Sequence, residues 1–354
     1  MKIVRNLLIV ILILGTIRLI IPFAALAGVN YVLKYKIEDY TGHVQDLKLN
    51  VLRGAVAFED LHIEKKDKPN ALMVDVATIK VNLSWQDFLN KKAQADVQIN
   101  NLDVVLTELP KKKPPQRGEL TFAQIRKKLA ESKWASELNK FEIRNASVKF
   151  KVPEAKTPLS VSHIDADIYN LHFSPAKDWQ LADFALHGFL QGQGEINLNG
   201  KVQPLAQPPM VDLNFSMVDF DLKSLNGLLL KLLPLDITRG KLSAYVEAAS
   251  EKDFSNGYAK IFFDDIDVIA NQQKFKSGRH VLIEFGTALG NWVLKNAREK
   301  SLAVRVPFKI KYANTDVKTT EALWSTFENK RDELDRKLEN SVSFSQNREE
   351  RSMF

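Results

Sequence analysis

The chain has 354 residues, 45% of them hydrophobic and 26% charged, a folding composition rather than a disordered one. It holds no cysteine, which excludes disulfides and thiolate metal sites. The net charge of +7 is modest for this length and suits anionic lipid head groups. A nucleic-acid reader is not expected, since basic residues are nowhere clustered with stacking aromatics.

Residues 1–5 read as a short cytoplasmic tail and 6–33 as a transmembrane anchor, with Leu7, Ile11, Leu14, Arg18, Ile21 and Leu26 along it. At ~1.5 Å per helical residue the apolar run from Leu7 to Val29 is long enough for a ~30 Å hydrocarbon core. Its aliphatic residues favour insertion by ~0.3–0.6 kcal/mol each, which together outweigh the ~2.5–3.5 kcal/mol cost of Arg18. Lys2 and Arg5 favour keeping the N-terminus inside, so everything after Tyr31 is expected across the membrane. Ala25-Leu26-Ala27 before Gly28 also fits signal-peptide cleavage, although the run is longer than the usual h-region.

Residues 34–109 form a first antiparallel strand series. Leu47, Leu49 and Val51 alternate with polar neighbours, Arg53-Gly54 turns the chain, and Val56 and Phe58 return. Leu61 and Ile63 follow a bulge at Glu59-Asp60. Further runs carry Val74 and Val76, then Ile79, Val81, Leu83 and Trp85, then Val97 and Ile99, then Leu102, Val104 and Leu106. Apolar residues at period two give one dry and one wet face, the pattern of antiparallel rather than parallel sheets.

Residues 110–140 form a basic, proline-rich connector and an amphipathic helix. Pro110, Pro114 and Pro115 flank Lys111-Lys112-Lys113, and Phe122, Ile125, Leu129, Trp134 and Leu138 share a helical face. The second strand series, 141–315, runs from Phe141 and Ile143 through Val148, Phe150, Ile164, Leu186, Ile196, Leu198 and Phe215 to Val304 and Val306. Two helical insertions interrupt it, Leu225–Leu233 and about Arg279–Ala297. Residues 316–354 are read as a C-terminal helix and tail, from the helix formers of Thr319–Val342 and the spacing of Leu323, Phe327, Leu334 and Leu338.

No catalytic constellation emerges, and the chain reads as a non-enzyme with no cofactor and no metal. The histidines, His43, His62, His163, His172, His187 and His280, never take the i, i+4 spacing of a helical zinc pair. Asp264-Asp265-Ile266-Asp267 lacks the glycine and further ligands of a calcium loop and reads as a polar strand edge.

The order of these features resembles the AsmA-like bacterial envelope proteins. The resemblance rests on the segment Gly42-His43-Val44-Gln45-Asp46-Leu47-Lys48-Leu49-Asn50-Val51 closed by Arg53-Gly54, and on Ala57-Phe58-Glu59-Asp60-Leu61-His62-Ile63. It continues in Val81-Asn82-Leu83-Ser84-Trp85, in Phe141–Phe150 and in Leu198-Asn199-Gly200-Lys201-Val202. It implies a mainly β fold with peripheral helices, in which an N-terminal transmembrane helix precedes a long curled antiparallel sheet forming an apolar groove, related to bridge-like lipid-transfer proteins. The protein would sit in the bacterial inner membrane with its bulk in the periplasm. It would bind phospholipid or another acyl lipid, contribute to phospholipid transport or outer-membrane biogenesis, and meet envelope protein partners. The alternation nominates Val74, Val76, Val81, Leu83, Val148, Phe150, Ile196, Leu198, Val304 and Val306 as the groove-lining set. A second class of function stays open beside this one: a non-enzymatic envelope scaffold or assembly protein with a packed β-sandwich and a partner-binding C-terminal helix.

Overall fold

A computed structural model of the chain describes residues 20–69, 71–90, 92–107, 135–151, 158–173, 181–203, 206, 210–226, 235–250, 254–270, 292–293, 296, 299–313, 318–324 and 330–343. Within them thirteen strands form one sheet in unbroken sequence order. They are β1 (Tyr40–Asn50), β2 (Ala55–Lys65), β3 (Leu72–Leu83), β4 (Lys92–Leu106), β5 (Ala135–Phe150), β6 (Leu159–His172) and β7 (Ala182–Leu190). Then come β8 (Gly194–Gln203), β9 (Met210–Asp221), β10 (Leu235–Ser250), β11 (Phe254–Ala270), β12 (Ser301–Ala313) and β13 (Lys318–Trp324). Neighbours are antiparallel except β4 and β5, which run parallel. A parallel pair needs a crossover of a dozen residues or more, and the expected proline-rich connector falls in that link, outside the described residues. The two strand series are therefore two parts of one sheet.

Several strands keep their apolar residues on one face although the sequence parity of those residues changes part-way along. In β2 they sit at Val56 and Phe58, then at Leu61 and Ile63; in β4 at Val97 and Ile99, then at Leu102 and Val104. The switch is made by single residues in the left-handed region: Asp60, Asn101, Asn145, His163, Asp219 and Asp265, at φ 51, 52, 55, 50, 54 and 46°. At Asn145, His163, Asp219 and Asp265 the switch coincides with a register shift against a neighbouring strand, as in a bulge, whereas at Asp60 and Asn101 the register runs on unshifted to both neighbours. Five of the six are Asp or Asn, the non-glycine types that tolerate this conformation best. At the bulge expected at Glu59-Asp60 the chain has a left-handed residue, Asp60, but the pairing with β1 and β3 continues without an inserted residue.

Turns follow local chemistry. Between β1 and β2 the Asn50 side chain accepts the Arg53 N–H, and Gly54 closes the turn at φ 64°. A Cβ on Gly54 would run into the Leu83 carbonyl oxygen, so glycine is required there by both conformation and space. Two asparagines clasp strand backbone in the same way. The Asn30 amide donates to Val44 O (2.9 Å) and accepts from Val44 N (2.7 Å), while Asn226 does both to Ile237 (2.7 and 2.9 Å).

Several expectations are corrected here. Among the described residues no helix is long and apolar enough to cross a membrane. Helix α1, residues 20–35, holds Ile21 and Leu26. Asn30 ties its last turns to β1. Leu7, Ile11, Leu14 and Arg18 lie outside the described residues. The single-pass inner-membrane anchor and the periplasmic location built on it therefore lose their structural basis. The sheet is also not the curled trough expected. It is open, with β1 and β13 as edges, and the extensive contacts run between neighbouring strands. Nor is it a two-layered sandwich, since all thirteen strands belong to the same sheet.

Smaller corrections follow the same logic of tertiary context overriding local pattern. Trp85 starts the short helix α2 (Trp85–Leu89) rather than ending a strand. Leu138 belongs to β5, paired with Ala95 and Leu171, not to an amphipathic helix. The expected C-terminal helix is absent where it can be judged: Lys318–Trp324 is strand β13, and residues 330–343 run in an irregular course.

Candidate functional site

Paired residues on adjacent strands share a face, so the registers trace which side chains form each surface. One line of partners runs Leu47, Phe58, Ile79, Ile99, Ile143, Ala166, Leu186, Leu198, Phe215, Val246, Ala259, Val306, one residue per strand from β1 to β12. Every member is apolar. A second line runs Leu49, Val56, Val81, Val97, Phe141, Ile168, Phe184 across β1–β7, and a third runs Ile63, Val74, Val104, Val148, Val161, Leu190 across β2–β7. The sheet thus carries a continuous apolar face.

All ten residues nominated from the alternation lie on this face. Val76 pairs with Leu61 and Leu102, Leu83 with Ala95, Phe150 with Leu106 and Leu159, Ile196 with Met217, and Val304 with Ile261. The structure does not give them one environment. Val304 and Val306, at 1% and 0% exposure, are packed in a cluster with Ile261, Phe263, Ile266, Leu302, Trp292, Val293 and Leu222. Val74, Val81, Val148, Phe150, Ile196 and Leu198 are half-buried, Val76 is buried, and Leu83 is 43% exposed beside Trp85 and Val51.

The lipid-conducting groove is therefore corrected. A conduit for acyl chains needs an enclosed, unfilled apolar channel along the sheet. Here the face is one side of an open sheet, and over β10–β12 it is filled by packed side chains. Phospholipid transport has no structural support in this arrangement.

The opposite face is polar over most of its width and is laced by cross-strand pairs. Lys48 pairs with Glu59 and His62 with Asp75 (2.6 Å). Arg144 meets Asp167 (2.6 Å), Lys149 meets Asp103 (3.3 Å) and Lys201 meets Asp183 (3.0 Å). Among the described residues no group of three or more His, Asp or Glu could hold a metal ion. Of the Asp264–Asp267 run, Asp264 is taken by Arg331 (2.9 Å) and Arg336 (2.6 Å), and Asp265 faces Arg239 (3.5 Å).

At the C-terminal end of the sheet the polar face is covered. Residues 330–343 lie across β10–β12 as a strap. It begins with Lys330 N–H donating to Ala303 O (2.8 Å), and Leu334 and Leu338 pack against Tyr245, Phe262 and Ala303. Glu339 grips the Arg305 guanidinium with both oxygens (3.0 and 2.9 Å), and the buried Lys260 ammonium stands 3.5 Å from the same carboxylate. Arg305 stacks over Tyr258 at 4.5 Å and Arg336 over Phe262 at 5.1 Å.

The strap ends on Glu247, which is fully buried. Its carboxylate accepts three successive backbone N–H groups, from Asn340 (2.6 Å), Ser341 (2.8 Å) and Val342 (3.2 Å). Asn340 stands in the left-handed region at φ 52°, which lets consecutive amides converge into an anion-binding nest. Desolvation alone would raise the Glu247 pKa. The Tyr258 hydroxyl and the three amides outweigh it and hold the carboxyl below its ordinary value. The bond to Arg305 likewise holds Glu339 low, against desolvation. Burial, with Glu247 beside it, pushes the Tyr258 phenol up.

Sequence reasoning did not find this seat. Its residues come from three strands and a segment whose composition reads as helix, and Glu247 and Lys260 look like ordinary outward positions of alternating strands. Neither a protein-family model nor a curated protein matches the chain. What the structure defines is a class: an open, nearly all-antiparallel meander with one apolar face, packed at its C-terminal end on both sides.

Proposed function

We propose that this protein is a non-enzymatic scaffold or assembly protein, and that the apolar face of β1–β9 receives the apolar surface of a protein partner. The observation that carries the reading is the unbroken apolar line from Leu47 to Val306, whose packed cover is the cluster over β10–β12. On β3, β5 and β8 the same face stays half-buried at Val74, Val81, Val148, Phe150, Ile196 and Leu198. A contiguous apolar surface of that extent is uncommon on a monomer and marks an interaction site. Many ionisable side chains of the opposite face are engaged in cross-strand pairs, which is a structural use of charge.

A photo-crosslinking residue at Val81 tests the reading in cells, with Lys80 on the other face as the control. Discrete protein adducts from Val81 and none from Lys80 are expected. Equal capture from both, capture of lipid alone, or no capture from Val81 would overturn the proposal.

A further inference from the structure

The strap seat is on the face opposite the surface just described and stands independently of it. It is built like a receptor for an extended peptide. Its features are an apolar floor of Tyr245, Phe262 and Ala303 for two leucines four residues apart, a cationic pair, Arg305 and Lys260, for the carboxylate that follows, and a buried acceptor, Glu247, for three consecutive backbone N–H groups. Asp264 adds an anionic corner that takes Arg336. Side-chain pockets supply specificity and main-chain hydrogen bonds supply sequence-tolerant affinity, the division of labour seen when domains bind extended segments.

The chain's own segment holds this seat without regular secondary structure. Its ion pairs to Arg305 and Asp264 are partly open to water, with Arg305, Arg336 and Glu339 side chains 34, 38 and 30% exposed, so each of these contributes little net stability. Lifting the strap also rehydrates the Glu247 and Lys260 charges, which offsets part of the lost contacts. A tethered segment in such a seat is a competitor present at an effective concentration of order mM. We infer that the polar face of β10–β12 is a docking site for an extended protein segment bearing two leucines followed by a carboxylate, and that residues 330–343 fill it in cis until such a segment displaces them.

The test uses the full chain and a fluorescein-labelled peptide of residues 330–343 as the probe, read by anisotropy. In the Glu339→Arg chain the strap meets Arg305 and Lys260 with a like charge and is released, which trypsin reports as rapid cleavage after Arg331, Arg336 or Lys337. That chain is expected to bind the probe at least tenfold more tightly than the wild type, and a probe carrying the same Glu339→Arg change is expected not to bind. The inference fails if the cleaved-open variant binds the probe no better than the wild type. It fails equally if the charge-reversed probe binds as well, or if the strap of the variant stays protected from trypsin.

Discussion

At Glu247 a carboxylate is buried on a sheet face with its negative charge intact, and three amides of one short segment make that possible. Charge-assisted bonds of this kind are the strong ones, and leaving either side unpaired costs about 1–3 kcal/mol. Both carboxyls of the seat and strap, Glu247 on β10 and Glu339 on the strap, have folded pKa values below their ordinary ones. Their contribution to the strap is therefore whole above the unfolded value of ~4.3 and is lost as pH falls through the lowered folded values. Facing these groups are Lys260 and Tyr258 on β11 and Arg305 on β12; the Tyr258 and Arg305 pKa values are both raised, so neither of these two changes charge in acid. The strap should open reversibly in acid, as pH falls below the ordinary carboxylate range and through the lowered folded values, while the sheet persists. Amide exchange at 340–342, followed from pH 7 downward, should accelerate beyond the intrinsic pH dependence, and Glu247→Gln should show the acceleration at neutral pH. Unchanged protection in that variant would mean that the carboxylate does not hold the strap.

At the scale of single elements, the strands were legible and their irregularities only half so. Alternation places Val56 and Phe58, then Leu61 and Ile63, and the parity change between them falls at the left-handed residue Asp60, where the pairing register nonetheless runs on unshifted. The same parity change recurs in β4, β5, β6, β9 and β11, where it is visible as a break in alternation but its left-handed residue is not. Asp60 tests the device. Replacement by Val, which is disfavoured at positive φ, should destabilise the protein by about 1–2 kcal/mol, while Gly should be neutral or slightly stabilising. Denaturant midpoints of the two variants decide it, and equal losses would remove the conformational explanation. The C-terminal segment reads as helix in the sequence because Glu333-Leu334-Asp335-Arg336-Lys337-Leu338 is made mostly of residues that favour helix locally. Packing of Leu334 and Leu338 on the sheet and capture of the 340–342 amides by Glu247 outweigh a propensity of a few tenths of a kcal/mol per residue.

For the whole molecule, the sheet is one meander but its packing is not uniform, and the sequence could not show this because the apolar pattern is the same at both ends. Leu302, Ala303, Val304 and Val306 on β12, with Tyr258 and Phe262 on β11, are at most 1% exposed, because side chains cover that part of the sheet on both faces. On β3 the equivalent Val74 and Val81 stay half-buried. Local stability follows buried apolar contact, so opening should be cheapest in the N-terminal strands and dearest in β11 and β12. Two residues of the same row pattern then separate. Val304→Asp places a charge in a closed core and should cost several kcal/mol, enough to melt β10–β12. Val81→Asp leaves the carboxylate within reach of water, so the fold should survive while capture of a partner at that face is lost. Hydrogen exchange on the isolated chain measures both claims: peptides from β11 and β12 should be the last to exchange in the wild type, and only Val304→Asp should erase that protection. Uniform protection along the sheet, or unfolding by Val81→Asp as complete as by Val304→Asp, would show instead that all thirteen strands share one closed core.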